Sequence, residues 1–246
     1  MVAAAVRYQF AICVSKDGDA RFLGHLDFAR LIERSLRRSG LPVQRTQGFN
    51  PRFKIAFADA LPVGLASEGE WITLTLDEDL PTDRIVAQLQ PVLPECVRVV
   101  AARAGKPPLA DRVRYRLELS GDTGSAADAL TALLARDGFL VDSSRQPLPV
   151  DARALVRGGG PGEGCLLLDL IAVNNRPPRP GPVVRALHAL AQQAGRAPLS
   201  VGTITKLCGP RARQGDSRWD VAAEADRTAQ PIASCSSMPA RAPRAG

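Results

Sequence analysis

A mixed α+β fold made of two tandem modules, each with a mostly antiparallel sheet, is predicted by three features of this 246-residue sequence. Apolar periodicity alternates between the two-residue repeat of strands and the 3.6-residue repeat of helices. The order strand, helix, short strand, hairpin, helix, strand occurs twice, at a spacing of roughly 105 residues. The chain is also long enough for two small cores. With 45% apolar residues but only 4% aromatic ones, Leu, Val, Ile and Ala must supply those cores. Helices on one face of each sheet would make the modules ferredoxin-like in kind.

In the first module, Arg7 to Ser15 (RYQFAICVS) reads as a buried strand ended by the turn Lys16-Asp17-Gly18-Asp19. Phe28, Leu31, Ile32 and Leu36 recur at helical spacing from His25 to Ser39, and Gly40 and Pro42 close that helix. Leu41 to Thr46 is extended, and Gln47 to Pro51 is a tight loop. Phe53 to Ala58 and Trp71 to Asp77 are strands joined through Leu61-Pro62-Val63-Gly64. Pro81 to Val92 is a helix with proline in its first turn, and Val97 to Ala101 is the last strand.

The second module repeats this with a strand at Val113 to Leu119 and a helix at Ser125 to Arg136. A short extended piece at Phe139 to Asp142 precedes a hairpin of Ala152 to Val156 with Cys165 to Val173. A helix at Val183 to Ala194 and a strand at Leu199 to Lys206 complete it. Residues 1–104 and 112–208 are the expected modules and 105–111 the linker. Residues 209–246, rich in Arg, Ala, Ser and Pro, read as a disordered tail in which Trp219 is the one large apolar residue.

Composition and charge narrow the function classes. No stretch approaches the roughly 20 apolar residues that span a bilayer, and Val2 to Val6 lacks the basic lead of a signal peptide. Five scattered cysteines (Cys13, Cys96, Cys165, Cys208 and Cys235) form no disulfide framework. A cytoplasmic protein without a membrane partner is expected. The net charge of +7 points to an acidic partner, and ten Lys or Arg against four acids in Met1 to Ala58 concentrate the excess there.

Catalytic and metal-binding patterns are nearly absent. There are two histidines, His25 and His188, and no Cys-x-x-Cys, His-x-x-x-His or Cys-x-x-x-Cys-x-x-Cys spacing, so neither metal nor cofactor is expected. Gly158 to Gly164 lacks the Gly-Lys-Ser/Thr ending of a phosphate loop and reads as a hairpin tip. His25 sits at a helix start, where the dipole favours a neutral imidazole able to act as a base, although it also simply closes the first turn. Asp27 is placed to cap that helix or to pair with Arg30.

Arg30, Arg34, Arg37 and Arg38 form one stripe on the helix, partly offset by Glu33. Beyond it, Arg45, Arg52 and Lys54 flank Phe49, a ring suited to stacking on a base among cations. Gly48 permits a positive φ and Pro51 holds Asn50 extended, so the loop can present Phe49 and Asn50 at fixed angles.

Lys16 to Trp71 carries Arg-Phe-Leu-x-His-Leu-Asp, Glu-Arg-x-x-Arg-Arg, Gly-Phe-Asn-Pro and Leu-Pro-x-Gly in one order. This combination resembles the radical-SAM-linked family, a bacterial domain of unknown function fused to, or encoded beside, a radical SAM protein. The likeness is dense over residues 7–102 and weaker to about 207. It implies His25, Asp27, Arg34, Arg38, Gly48, Phe49, Asn50, Pro51, Lys54 and Gly64 as shared positions. Gly24 stands where the family usually has Ser, and Phe53 where it usually has Pro.

The expected function is a non-catalytic accessory protein that presents a substrate, with RNA the candidate, to a separate radical SAM enzyme. His25, Asp27, Arg30, Arg34, Arg38, Arg45, Phe49, Asn50 and Lys54 are the candidate contacts, and Gly48, Pro51 and Gly64 set loop geometry. Two alternatives stand beside it: a metal-independent ribonuclease or RNA-modifying enzyme with His25 as general base, and a pure protein-interaction module.

Overall fold

The computed structural model describes residues 7–108, 112–142, 148–173 and 177–207. The expected tail with Trp219, the cysteines Cys208 and Cys235, and part of the expected linker lie outside the described residues. The first half contains β1 (Tyr8–Lys16), α1 (His25–Ser39), β2 (Ile55–Phe57), β3 (Leu65–Leu76), α2 (Thr82–Leu89) and β4 (Val99–Ala104). The second contains β5 (Arg112–Leu119), α3 (Thr123–Leu134), β6 (Leu140–Val141), β7 (Val150–Asp151) and α4 (Ala152–Leu155). It continues with β8 (Val156–Gly162), β9 (Cys165–Ile171), α5 (Pro180–Gln193) and β10 (Val201–Lys206).

The result is a mixed α+β architecture with a mostly antiparallel eight-stranded sheet ordered β4-β1-β3-β10-β5-β9-β8, with β2 paired to β3. β6 and β7 form a separate two-stranded ribbon. Within each half the sheet strands adopt the order fourth, first, third, second in chain sequence: β4-β1-β3-β2, then β10-β5-β9-β8. The halves meet where β10 pairs with β3, a parallel contact of three residue pairs: Ile204 with Leu65, Thr205 with Ala66, Lys206 with Ser67. Arg21 Nη1 donates to Thr203 Oγ1 across the same seam at 3.1 Å.

Two apolar clusters lie on this sheet. In the first, Phe28, Ile32 and Leu36 of α1 and Ile85 and Leu89 of α2 cover Phe10, Ile12 and Val14 of β1 and Ile72, Leu74 and Leu76 of β3. The i, i+4 and i+8 spacing of the α1 residues puts them on one helix face, and Gly40 ends the helix in the left-handed region at φ 69°. In the second, Ala126, Leu130 and Leu133 of α3 and Val183, Leu187 and Leu190 of α5 cover β5 and β9. α5 begins at Pro180, three residues before the apolar periodicity shows it, because proline fits the first turn.

Two local expectations are corrected. Ala152 to Leu155 is a helical turn rather than a strand, since Asp151 accepts from Arg153 N and Ala154 N and so caps a helix start. Gly158 to Gly162 is strand, not hairpin tip: it pairs with β9, leaving the turn to Glu163 and Gly164. A Cβ at Gly159 would stand 2.2 Å from the Leu167 carbonyl oxygen, so the close approach of the two backbones there admits only glycine.

Candidate functional site

The inward-facing series of three strands each end on a charge at the seam. In β1 Phe10, Ile12 and Val14 are followed by Lys16; in β3, read backwards, Leu76, Leu74 and Ile72 lead to Glu70; in β10 Lys206 follows Ile204. Val14 pairs with Glu70, but Lys16 pairs with Ser67, so β3 carries one extra residue in a bulge. Ser67 also pairs with Lys206, which places the two lysines on either side of it in the ladder.

Glu70 holds this group together. It is 3% exposed and accepts from Ser67 Oγ at 2.6 Å, while its two carboxylate oxygens lie 3.2 and 3.3 Å from Lys206 Nζ. Lys206 also donates to Asp59 Oδ2 at 3.1 Å. Lys16, 1% exposed, donates to the Leu23 carbonyl at 2.9 Å and lies over the Phe28 ring, 5.5 Å from its centre. Burial lowers the Lys16 ammonium below its ordinary pKa, with Glu70 opposing that only in part. For Lys206 burial acts in the same sense, yet Glu70, Asp59 and Tyr115 outweigh it and hold its pKa above the ordinary value.

His25 opens α1 beside this group. A short 3-10 turn, Gly18–Phe22, carries the chain from β1 to Gly24, and His25 then meets Phe57 edge-on with ring centres 5.1 Å apart. Lys16, His25, Phe28, Phe57, Asp59, Leu61 and Glu70 line a pit of about 10 Å³, room for about one water. Gly64, at φ 89°, turns the Leu61-Pro62-Val63 segment back so that its N–H reaches the Arg21 carbonyl at 2.8 Å.

The other residues singled out from sequence fall into two groups away from the pit. On α1, Asp27 pairs with Arg30 at 3.0 Å instead of capping, Arg34 is exposed, and Arg38 donates to the Val92 carbonyl. Around the loop, Gly48 has φ 131°, Phe49, Asn50 and Pro51 are exposed, Arg45 covers the Phe53 ring, and Lys54 donates to Gln44 at 3.1 Å. β2 lies between the loop and the pit, about 20 Å of extended chain from Phe53 to Asp59. His25 and Phe49 therefore stand at opposite ends of β2.

Residues 9–177 match a family described as an uncharacterized protein conserved in bacteria, DUF2344. The chain belongs to this family. No curated protein matches it. A solved structure described as an unknown protein from Galdieria sulphuraria is 14% identical, over 82% of this chain and 100% of that one, with a TM-score of 0.26, too low to bear on fold or function.

The family match includes Lys16, His25, Asp59 and Glu70 and stops before Lys206. Sequence reasoning found His25 but missed the charges beneath it. Two signals were present. The chain has four lysines against 28 arginines, and Lys16 and Lys206 are two of those four. Each also continues an inward-facing series that is otherwise apolar. Among the described residues no three His, Cys, Asp or Glu side chains gather as a metal site, and no helix is long and apolar enough to cross a membrane. The pit offers one ammonium donor, carboxylate acceptors, an imidazole and aromatic walls, a set suited to proton transfer or to polar recognition.

Proposed function

We propose that this member of the family is an accessory protein that holds single-stranded RNA and presents it to a separate radical SAM enzyme in the cytoplasm. One observation carries the RNA part. The 15 residues of α1 extend about 22 Å, with Arg30, Arg34 and Arg37 exposed along it and the His25 pit at its start. The chain leaving its other end leads to the loop that exposes Phe49 completely. A strand following this line would meet cations along its backbone and an aromatic ring at one end. The partner rests on the motif resemblance over Lys16 to Trp71. Two ferredoxin-like modules are the fold-level part of the proposal, supported by the recurring strand order.

The salt dependence of RNA binding tests it. Each neutralised phosphate contributes a log-log slope of about −0.7 for single strands. Replacing Arg34 and Arg37 by Ala should flatten the slope by roughly 1 to 1.5. Phe49→Ala should weaken binding by about 1 to 3 kcal/mol and leave the slope unchanged. No RNA binding by the wild type at low salt, with or without the radical SAM partner, removes the reading and leaves a protein-interaction module. A second reading is favoured by the position of His25 beside buried Lys16: RNA cleavage by the wild type that disappears in His25→Ala would make the protein a ribonuclease.

A further inference from the structure

We infer that the pit at the start of α1 is a recognition slot for a single unstacked RNA base, whose hydrogen-bonding edge meets Lys16 and Asp59 and whose ring lies against His25. The inference rests on the RNA reading above and gives the strand a defined end.

Charge balance separates the pit from the basic stripe. Lys16 and Lys206 are offset by Asp59 and Glu70, so the floor has no excess positive charge to draw a phosphate. What the floor offers instead is unused hydrogen-bonding capacity beneath aromatic walls. Lys16 has three N–H donors, of which one is given to the Leu23 carbonyl. Asp59 gives one carboxylate oxygen to Lys206, and its Oδ1 has no hydrogen bond among the described residues. Lys16 and Asp59 line the same pit, so a donor and an acceptor face one space, and each base carries an acceptor next to a donor on its edge. The pit therefore recognises a base without itself selecting which one.

The walls and rim have the matching apolar character. His25 is half-buried and braced edge-on by Phe57, which fixes its plane before a ligand arrives. Val63, two residues after the Leu61 that lines the pit, is 55% exposed. Val63 approaches to 3.9 Å of the position that a Cβ at Gly24 would occupy, so the missing side chain at 24 leaves the approach to His25 open. A space of about 10 Å³ admits the polar tip of a base, with the ring held above it at the rim.

The experiment scans an eight-nucleotide single-stranded RNA, labelled at its 5′ end, with one abasic site at each position in turn, and follows anisotropy against the wild type. One position should be critical, costing about tenfold in affinity when its base is removed. In Asp59→Asn and in His25→Ala that penalty should shrink to less than twofold. Arg34→Ala should weaken intact and abasic strands by the same factor. Circular dichroism and the urea midpoint establish that each variant is folded, and Asp59→Asn keeps the shape of the side chain. If RNA binds but no abasic position costs more than twofold, or if the penalty persists in both pit variants, the slot is wrong while the RNA reading stands. If the wild type binds no RNA, both fall.

Discussion

The two halves share a strand order, but they treat the start of their first helix in opposite ways. α3 is tied off by its own Asp122, which accepts from Gly124 N at 2.8 Å and Ser125 N at 3.3 Å. α1 has Gly24 at that position and no side-chain cap. The strand before α1 ends on buried Lys16, whereas the strand before α3 runs out into exposed Ser120. Similar topology thus gives one closed helix start and one that stays open over a charged floor. The candidate site lies where a helix start has been left without a cap.

The largest test of that contrast is the ion-pair network. Glu70→Ala leaves Lys206 short of one carboxylate and Lys16 without its compensating charge, and should cost about 3 to 5 kcal/mol in urea unfolding. The corresponding polar feature of the second half, the bidentate Arg114 and Asp169 pair, is nearer solvent. Asp169→Ala should cost about 1 to 2 kcal/mol. Equal losses would mean that the seam is no more demanding than an ordinary sheet surface.

The pH dependence sharpens the comparison next. Lys16 has a folded pKa below 10.5, so between that value and 10.5 the unfolded chain binds more protons than the native one, and stability should rise with pH. Lys16→Met should flatten that rise when urea midpoints are followed from pH 8 to 10. Lys206 has the opposite shift: its contribution is complete below 10.5 and is lost only as pH climbs through its raised folded value. Lys206→Met should therefore lower stability without altering the slope over that range.

Smaller effects belong to the caps. Asp122→Ala should destabilise by about 1 kcal/mol. Gly24→Ser should stabilise by a few tenths of a kcal/mol, since a Cβ there meets nothing nearer than 3.8 Å. Thermal melts of the two variants, moving in opposite directions, would establish that α1 is left uncapped where α3 is closed.

Much of this fold was legible because local rules and tertiary packing agree. The four inward residues of α1 and the glycine after it define that helix from sequence alone, and β5 alternates as a half-buried strand should. The glycine run of β8 was misread because glycine ordinarily marks turns. Here it marks backbone proximity, a property of the pairing with Leu167 that no local pattern contains. The candidate site was legible only in part. His25 and the arginine stripe announce themselves, but Glu70 and Lys206 are 136 residues apart, and only the parallel pairing of β3 with β10 makes them neighbours. Arg38 shows the converse: it reads as a free cation in the helix pattern and is engaged with the Val92 carbonyl in the fold.

That same separation sets an order of events during synthesis. At about 5 to 20 residues per second, Lys206 is joined to the chain on the order of 10 s after Glu70. Until then Glu70 and Asp59 have only Lys16 for company, and β3 has an unpaired edge where β10 will lie. A growing chain therefore carries an acidic notch that the finished molecule neutralises: the residues lining the pit all belong to the first half, and the charge that balances its floor arrives only with β10.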